Sequence, residues 1–305
     1  MTTSKNILIT GAGGFLGLKV VQELCLQGYN VTALSKSSKT CPSISNNNQP
    51  TWLIRDIASS PLTTEEADLY DTIIHLAGAT EGRGDDRRMH FSANEQTTVG
   101  ITSQRSENVK KFIYASSQVV YGNPNSKHVD ESFPVDTTYS SYATSKINSE
   151  NWLSLYQAQV CNMTVCLRLS GFLDGGGLID MLIREGLAGN TIELYGKGQI
   201  CRDYIHSSYF VELILQLLRA DPIEGYSVLN FGTGQAMSAF QIASLIFEII
   251  NTHSQIVLSP ANPKRLNFVY NTDKLISMTS LFIPSLQEQI IEYTKTFISE
   301  SASHS

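Results

Sequence analysis

Three glycines spaced three residues apart, Gly11, Gly14 and Gly17, divide an apolar strand pattern from a helical one near the start of the chain. The apolar run Asn6–Thr10 precedes them. Apolar residues then recur every three or four positions, which is the period of an amphipathic helix. Asn30–Leu34 is the next apolar run of strand length. The opening of the chain therefore predicts a strand, a glycine turn, a helix and a second strand, which together form a βαβ unit.

These glycines stand where a side chain would obstruct a bound phosphate or the packing of the turn. Gly11 permits a tight turn, Gly14 lets the backbone approach a pyrophosphate at the helix N-terminus, and Gly17 lets the helix pack against the strand. We expect Phe15 and Leu16, at the start of the helix, to lie beside the same phosphates. A merely flexible turn is the alternative, but the position between a strand and a helix favours a dinucleotide-binding turn.

The alternation of strands and helices continues through the first half of the chain. Continuous apolar runs predict buried strands at 52–55, 72–76, 111–115 and 164–169, and helical spacing predicts helices at 88–105 and 141–159. This order indicates an α/β fold: a Rossmann-type doubly wound parallel sheet with a smaller C-terminal α/β substrate lobe. We place the dinucleotide-binding domain at residues 1–170 and a mainly substrate-binding lobe at 171–305, with some of its segments returning to the sheet. We expect a surface loop at 41–50 and disorder at 299–305.

Composition argues against several classes of function. The 305-residue chain has a net charge of −6 and a pI near 5.5, and it lacks the cluster of Lys and Arg that a nucleic-acid-binding face requires. Its longest apolar stretches are too short to span a bilayer. The five cysteines form no Cys-x-x-Cys pair, which favours reduced thiols and a cytoplasmic location. We predict no metal site and no nucleic-acid or membrane partner.

The end of the second strand bears on which dinucleotide binds. An acidic residue there would bind the ribose hydroxyls of NAD, but this chain has Ser35, followed by Lys36 and later Lys39. Without a carboxylate a 2′-phosphate is not repelled, and a lysine attracts it, so NADP is favoured over NAD. The alternative, in which the lysines are only solvated and NAD binds, stays open.

Residues after the third and fourth strands are further candidates for cofactor contacts. Asp56, followed by Ile57, comes where a carboxylate could face the adenine amino group. Three residues end the fourth strand, where the backbone passes close to the cofactor: Leu76, Ala77 and Gly78. The preceding His75 is at least as consistent with a buried structural imidazole as with a chemical role.

Tyr142 and Lys146 lie four residues apart on a predicted helix, so their side chains share one face of it. A free phenol has a pKa of about 10, and a neighbouring ammonium group favours the phenolate. Tyr142 can then act as general base in oxidation and as general acid in reduction, while Lys146 also holds the nicotinamide ribose. The hydroxyl of Ser117, after the preceding strand, can bind the oxygen that Tyr142 protonates. Because a Tyr and a Lys four apart arise often by chance, the interpretation depends on all three residues.

Further motifs follow in a fixed order along nearly the whole chain. They are Asn94 before the fifth strand, Val120-Tyr121-Gly122, Gly196-Lys197-Gly198-Gln199, Arg202-Asp203-Tyr204-Ile205-His206 and Leu229-Asn230-Phe231-Gly232-Thr233-Gly234. With the glycine turn and the Ser–Tyr–Lys residues, they make the chain similar to the extended short-chain dehydrogenase/reductases. That group contains NAD(P)-dependent sugar-nucleotide epimerases, dehydratases and reductases.

The resemblance implies roles for particular residues. Ser117, Tyr142 and Lys146 would form the catalytic trio, and Asn94, Tyr142 and Lys146 would contact the cofactor. Arg168 would be structural. A nucleotide-linked sugar would contact Ser116, Ser117, Gln118, Tyr195, Arg202 and Arg265. Arg202 would bind the substrate diphosphate, and its alternative is an ion pair with Asp203 or another carboxylate. The resemblance also implies a homodimer formed through the helices that carry Asn94 and Tyr142.

The chain departs from the family pattern at four places. Gln118 and Val119 stand where the 4,6-dehydratases have an acidic pair, so the acid and base that expel water are missing. Ser170-Gly171 replaces an aromatic–Asn pair, Ser207-Ser208 replaces Val–Asp, and a second diphosphate-binding arginine is shifted within residues 261–265. These departures argue against a dehydratase and weaken the sugar-nucleotide assignment, but they leave the hydride chemistry intact.

Taken together, the residues favour an NADP-dependent oxidoreductase that reduces a keto group, at C4, of a nucleotide-linked sugar. A sugar-nucleotide 4-epimerase with tightly held NAD uses the same residues and is the alternative. A reductase of non-sugar carbonyl compounds and a non-catalytic dinucleotide sensor are less favoured. The identity of the sugar and of the nucleotide stays open.

Overall fold

The computed structural model describes residues 5–37, 48–81, 86–103, 106, 108–221, 224–260 and 266–303. Its strands are β1 (Asn6–Thr10), β2 (Asn30–Ser35), β3 (Thr51–Ile54), β4 (Thr72–His75), β5 (Lys111–Ser117), β6 (Ser126–Val129), β7 (Met163–Leu169), β8 (Gly171–Phe172), β9 (Ile192–Leu194), β10 (Cys201–Arg202), β11 (Tyr204–Ile205), β12 (Gly225–Phe231), β13 (Met237–Ser238), β14 (Ile256–Leu258) and β15 (Phe268–Tyr270). Its α-helices are α1 (Phe15–Leu26), α2 (Thr64–Ala67), α3 (Arg87–His90), α4 (Thr97–Thr102), α5 (Ser141–Val160), α6 (Leu178–Leu187), α7 (Ser207–Arg219), α8 (Ala239–Ile250), α9 (Asp273–Met278) and α10 (Leu286–Ser303). A π-helical stretch, Phe91–Gln96, joins α3 to α4, and 3₁₀ turns cover Gln118–Tyr121 and Tyr195–Gly198.

A seven-stranded sheet in the order β12-β7-β5-β4-β1-β2-β3 forms the core of the fold. The pairs β5–β7, β4–β5, β1–β4, β1–β2 and β2–β3 are all parallel. The order reverses direction at β1, from which β2 and β3 extend to one side and β4, β5 and β7 to the other. The central strands are buried on both faces, as Ile7, Leu8 and Ile9 show. The predicted doubly wound parallel sheet is confirmed.

The chain divides into two compact units. The first comprises residues 1–122, 134–169 and 211–229, and the second comprises 123–133, 170–210 and 230–305. The sequence placed the boundary at residue 170 and expected some later segments to return to the sheet, as residues 211–229 do, but it did not place residues 123–133 in the second unit. Residues 123–133 belong to the second unit because β6 pairs with β15, and residues 211–229 belong to the first because β12 extends the large sheet.

The second unit has its own sheet and its own core. Its four-stranded sheet has the order β13-β10-β15-β6, and two shorter sheets pair β11 with β8 and β14 with β9. Helices α6, α8 and α10 bury an apolar cluster that includes Ile183, Ile246 and Ile290. This unit is therefore folded around a core of its own.

The C-terminal segment differs from its predicted disorder. Helix α10 continues to Ser303, and the Ser299 and Ser301 hydroxyls donate to the carbonyls of Thr296 and Phe297. Such bonds back to the preceding turn let serine remain inside a helix, which the polar composition did not indicate. The prediction of disorder was therefore wrong for residues 299–303; residues 304 and 305 lie outside the described residues, as do 41–47 of the predicted loop. Among the helices in the described part of the chain, none is long and apolar enough to cross a membrane.

Candidate active site

The glycine turn leaves no room for side chains at two of its three predicted positions. Gly11 has a φ of +66°, and a Cβ there would lie 2.6 Å from the Ala77 nitrogen. A Cβ on Gly17 would lie 2.2 Å from the Gly11 carbonyl oxygen. The Gly14 N–H closes the turn by donating to the same oxygen at 2.9 Å. The sequence folds this way because only glycine tolerates both the left-handed backbone and the close approach of β1 to α1.

A cleft of about 370 Å³ opens at the carboxyl ends of the strands in the first unit. Eight residues predicted to contact a cofactor line it: Gly11, Gly14, Ser35, Lys36, Ile57, Leu76, Ala77 and Gly78. The rest of the lining is Gly13, Leu34, Arg55, Ala79, Met89, Ala93 and Thr97. Bare backbone and the N-terminus of α1 meet on one side of the cleft, and these are the groups that bind a pyrophosphate. The cleft therefore fits a dinucleotide.

The remaining predicted cofactor residues lie outside that lining. Phe15 is half-exposed at the start of α1, with the Lys19 ammonium 5.3 Å from its ring centroid, and Leu16 is partly buried. Asp56 accepts the Ala58 N–H and pairs with Lys36. The contacts of these three residues with a cofactor stay predictions.

At the end of β2 a serine hydroxyl and an ion pair stand where an acidic residue would mark an NAD site. The Ser35 hydroxyl donates to the Ser37 carbonyl at 3.1 Å. The Lys36 ammonium lies 3.0 Å from the Asp56 carboxylate, and both side chains are about half exposed. Arg55, which the sequence reading missed, also lines the cleft, but its guanidinium pairs with Glu66 at 2.6 Å. Lys39 lies outside the described residues.

His75 lies beneath the cleft as a buried bridge between two elements. Its Nδ1 lies 2.6 Å from the Thr10 hydroxyl and its Nε2 lies 3.1 Å from the Thr98 hydroxyl. Burial lowers the pKa of His75 to about 3, assisted by the charge of Lys146, so the imidazole is neutral. Thr10 also accepts the Ala77 N–H, which ties the end of β4 to the glycine turn. These contacts give His75 the structural role that the sequence left open.

Asn94 is buried, and its amide is used within the protein. Its Oδ1 accepts the Ala79 N–H at 2.8 Å, and its Nδ2 donates to the Ala79 carbonyl and the Ser145 hydroxyl. These bonds hold the loop after β4 against α5, and the contact of Asn94 with a cofactor stays a prediction. This use of Asn94 depends on partners 15 and 51 residues away, so no local pattern predicts it.

Tyr142 and Lys146 are both buried on α5. Burial raises the pKa of Tyr142 to about 12, against the opposing effect of a hydrogen bond with Ser117. The His90 ring lies 5.5 Å from the Tyr142 ring, centroid to centroid. Burial also lowers the pKa of Lys146 to about 8, and the Glu150 carboxylate opposes that shift. Near neutral pH the Tyr142 phenol therefore keeps its proton and can donate it to a substrate.

Lys146 connects the trio to the cleft. Its ammonium group donates to the Ala115 carbonyl of β5 at 2.7 Å, and a Cβ on Gly78 would lie 3.4 Å from its Nζ. Ser117, at the end of β5, accepts the Val119 N–H at 3.4 Å. The three residues predicted to be catalytic are therefore brought together beside the cleft, although they span 30 positions of the chain.

Two of the predicted substrate contacts in the first unit are buried. Ser116 donates its hydroxyl to Glu150 at 2.5 Å and is 3% exposed, and its role as a substrate contact stays a prediction. Gln118 is buried in the 3₁₀ turn. The sequence reading also missed Glu150, although its spacing of four from Lys146 on the same helix was a signal for it.

The other predicted substrate contacts belong to the second unit. Tyr195 is exposed. Arg202 donates to the Leu266 carbonyl at 3.2 Å, and its guanidinium lies 5.0 Å from the Phe268 ring centroid. The buried Asp203 carboxylate accepts the Thr233 N–H and hydroxyl and the Gly234 N–H. Arg265, with the rest of 261–265, lies outside the described residues.

The similarity of the chain to known proteins identifies its family. The profile of the NAD dependent epimerase/dehydratase family matches residues 7–232, more than half of the chain. The chain belongs to this family. It is an enzyme of the extended short-chain dehydrogenase/reductase type, whose members act on nucleotide-linked sugars.

Individual relatives cover most of the chain. A UDP-glucose 4-epimerase of Mycolicibacterium smegmatis is 27% identical over 255 residues, which are 78% of this chain and 80% of that protein. A dTDP-4-dehydro-6-deoxy-D-allose reductase of Streptomyces bikiniensis is 24% identical over 286 residues, 85% of each chain. The structure of MoeE5 in complex with UDP-glucuronic acid and NAD superposes with a TM-score of 0.79 at 23% identity, covering 95% of this chain and 99% of that one. The last similarity shows the shared fold.

Proposed function

We propose that this family member reduces a keto group, at C4, of a nucleotide-linked sugar and that it uses NADP. The observation that carries the proposal is a buried, protonated Tyr142 hydrogen-bonded to Ser117 and adjacent to Lys146, beside a cleft whose β2 end has no acidic side chain. When bound, the nicotinamide cofactor supplies the hydride. Every other step uses side chains of this chain.

Tyr142 is the proton donor in this proposal. In reduction the carbonyl oxygen of the substrate gains a proton, and a phenol with a pKa of about 12 holds one at neutral pH. The Ser117 hydroxyl donates a hydrogen bond to the same oxygen and orients it, without giving up its proton. The Lys146 ammonium stabilises the phenolate left after transfer, because opposite charges attract strongly in a buried site.

The preference for NADP rests on the end of β2. Ser35 presents a hydroxyl instead of a carboxylate, so nothing at that position repels a 2′-phosphate. Lys36 pairs with Asp56, but ion pairs between half-exposed groups contribute only about 0–1 kcal/mol. A phosphate dianion can therefore displace the single charge of Asp56 from Lys36.

A sugar-nucleotide 4-epimerase is the second candidate. The similarity to the UDP-glucose 4-epimerase of Mycolicibacterium smegmatis favours it, and the solved MoeE5 structure contains NAD. An epimerase would oxidise and then reduce C4 with the same Tyr142, acting first as base and then as acid. The nucleotide diphosphate of either substrate would bind Arg202, because a guanidinium makes two parallel hydrogen bonds to phosphate. A homodimer and a cytoplasmic location stay predictions; the four described cysteines are free thiols.

The two candidates differ in how they hold the cofactor. The protein would be purified without added nucleotide and denatured, and any released dinucleotide would be identified by chromatography; the empty protein would be titrated with NADPH and NADH. We expect an empty protein that binds NADPH more tightly. Stoichiometric NAD carried through purification would instead establish the epimerase.

The substrate class is tested with the same preparation. NADPH oxidation would be followed with a panel of 4-keto-sugar nucleotides carrying uridine, thymidine, guanosine or cytidine diphosphate. Turnover of one of them supports the proposal. Turnover only of carbonyl compounds without a nucleotide would contradict it and indicate a non-sugar reductase.

A further inference from the structure

A buried ion pair lies behind the end of β5 and takes no part in the proposed proton transfer. Arg168 of β7 and Glu150 of α5 are both almost fully buried, and their closest atoms, Nη2 and Oε2, lie 2.7 Å apart. The Arg168 Nε also lies 3.1 and 3.2 Å from the two carboxylate oxygens. Burial disfavours the charged guanidinium, but Glu150 outweighs this effect and raises the pKa of Arg168, so the guanidinium keeps its charge. We call these two residues the Glu150–Arg168 clamp.

The clamp has two polar arms, and the arms contact the chain on both sides of Ser117. Ser116, the residue before Ser117, donates its hydroxyl to Glu150 at 2.5 Å. Tyr121, the last residue of the 3₁₀ turn that Ser117 caps, accepts a hydrogen bond from Arg168 at 2.7 Å. The guanidinium carbon also lies 4.7 Å from the Tyr121 ring centroid. The segment that carries the catalytic hydroxyl is thus held at both ends by one buried pair.

Helix α5 carries the partners of Ser117 as well as half of the clamp. Tyr142, Lys146 and Glu150 recur at intervals of four residues, so they lie along one face of the helix. Lys146 reaches the Ala115 carbonyl of β5, and Glu150 reaches Ser116 on the same strand. Two successive turns of α5 therefore fix the end of β5 relative to Tyr142.

Stability alone is a poor reason for such a pair. Replacing a buried ion pair with well-packed apolar residues is often neutral or stabilising, because removing two charges from water is costly. The directional bonds of the clamp do what apolar packing cannot, since each one fixes the position of a particular atom on the segment around Ser117.

We propose that the Glu150–Arg168 clamp is a positioning device that sets the Ser117 hydroxyl against Tyr142 through Ser116 and Tyr121. The inference deepens the proposed function and rests on it, because the position of Ser117 matters only if Ser117 and Tyr142 act on one substrate oxygen. Ser116 then acts through Ser117 and not by touching substrate.

The test removes the Ser116 and Tyr121 hydroxyls, which bond to the clamp. Glu150 and Arg168 are left intact, so that neither is buried without its partner. Ser116→Ala, Tyr121→Phe and the double variant would be assayed with the 4-keto-sugar nucleotide that the wild-type protein reduces fastest. We expect the double variant to lose about 100-fold in kcat, the size of effect produced by small misplacements of catalytic groups, with KM and the NADPH dissociation constant unchanged. Trp152→Phe is the matched control: it removes a partly buried hydrogen bond from Trp152 of α5 to Thr102 of α4 and should leave kcat unchanged.

A second measurement does not depend on turnover. Crystal structures of the wild type and the double variant with NADP would give the distance from Ser117 Oγ to Tyr142 Oη. A lengthened distance in the variant supports the clamp. An unchanged distance with unchanged kcat overturns it, and so does a rise in KM alone for Ser116→Ala, which would make Ser116 a substrate contact.

Failure of the clamp and failure of the proposed function are separable. If Tyr142→Phe turns over like the wild type, the proposed chemistry is wrong whatever the clamp does. If Tyr142→Phe is inactive while the double variant keeps the wild-type kcat and geometry, only the clamp is rejected.

Discussion

Burial shifts the pKa values of Tyr142 and Lys146 in opposite directions, and both shifts favour the uncharged form of the side chain. It raises the pKa of the phenol to about 12 and lowers the pKa of the amine to about 8. In each case the low-dielectric surroundings disfavour the charged form. At neutral pH the Tyr142 phenol therefore carries a proton that it can donate, and the Lys146 amine is still mostly protonated. This combination suits the reduction of a carbonyl group.

Replacing Tyr142 with phenylalanine tests the proton donor directly. The ring and its packing against His90 are retained, while the hydroxyl is lost. We expect turnover to fall by about two to four orders of magnitude, the contribution typical of a positioned acid or base. NADPH affinity, measured by fluorescence titration, should not change. A variant with the wild-type rate would exclude Tyr142 as the acid.

Lys36→Ala tests the preference for NADP. If Lys36 exchanges Asp56 for a 2′-phosphate, the variant should bind NADPH about tenfold or more weakly, as expected for loss of one hydrogen bond to a charged group. NADH affinity should stay within about twofold, since its ribose lacks the phosphate. Lys274→Ala, an exposed lysine of α9, is the control for the change in net charge. An equal loss of affinity for NADPH and NADH would show that Lys36 does not bind the 2′-phosphate.

His75 makes the fold sensitive to acid. Its folded pKa is about 3 and its ordinary value is 6.5, so between these pH values the unfolded chain binds a proton that the folded protein does not. Stability from this group is fully present above pH 6.5 and is lost as the pH falls toward 3. Asp203 acts in the opposite sense: burial raises its pKa to about 6 from 3.8, so its contribution is lost as the pH rises through 6.

The variant His75→Asn separates the two effects because asparagine does not titrate. Between pH 7 and pH 5 the wild type should lose about 2 kcal/mol more of its free energy of unfolding than the variant. Urea denaturation at the two pH values measures the difference. The same pH dependence in both proteins would mean that His75 already takes up its proton in the folded state.

At the scale of elements, the contact between β1 and α1 depends on a missing side chain. A Cβ on Gly17 would lie 2.2 Å from the Gly11 carbonyl oxygen and 2.8 Å from the Ala12 Cα, and both are backbone atoms that cannot move aside cheaply. The glycine turn therefore serves the packing of the sheet as well as the binding of phosphate.

Gly17→Ala should destabilise the first unit by about 1–3 kcal/mol, the usual cost of overpacking, and should weaken NADPH binding because the turn must shift. Gly177→Ala is the control, since a Cβ there meets nothing within 4 Å. Thermal unfolding with and without NADPH measures both effects. A Gly17→Ala protein as stable as the control would show that the turn adapts without cost.

Other elements show where local patterns are insufficient. The predicted helix at 88–105 is built from α3, a π-helical stretch and α4, ending at Thr102. Its π-helical turn carries the buried Asn94, whose amide is bound by the loop after β4 and by α5. Apolar periodicity in the sequence indicates a regular α-helix and gives no sign of the wider π-helical turn that carries Asn94.

At the scale of the whole molecule, the surface of α5 bears on assembly. Leu155 of this helix is 78% exposed, and Phe91 at the start of the π-helical stretch is 51% exposed. Exposed apolar side chains on helices expected to meet a second copy are typical of a dimer interface.

Leu155→Glu should therefore convert a homodimer into a monomer, because the substitution would bury a charge at the interface. Light scattering after size-exclusion chromatography gives the mass. Leu69→Glu, at a residue 61% exposed outside these helices, should leave the mass unchanged. A wild-type protein that is already monomeric would remove the basis for the dimer.

The sequence by itself determined the parts of this protein that depend on neighbouring residues. Strand and helix periods predicted the βαβ opening and the parallel sheet, because burial of a strand or a helix face repeats along the local chain. The glycine turn and the spacing of Tyr142 and Lys146 were readable for the same reason. Ser117 was found because it ends a strand whose apolar run is continuous.

Only the tertiary structure decided which side chains became partners across the fold. Glu150 meets Ser116 and Arg168, Asn94 meets Ala79, and Lys36 meets Asp56 across neighbouring strand ends. It also decided that β6 joins the second unit by pairing with β15. Hydrogen bonds and ion pairs of this kind depend on distances between atoms far apart in the chain, and these distances exist only after the sheet has fixed its strand order and the helices have packed on it.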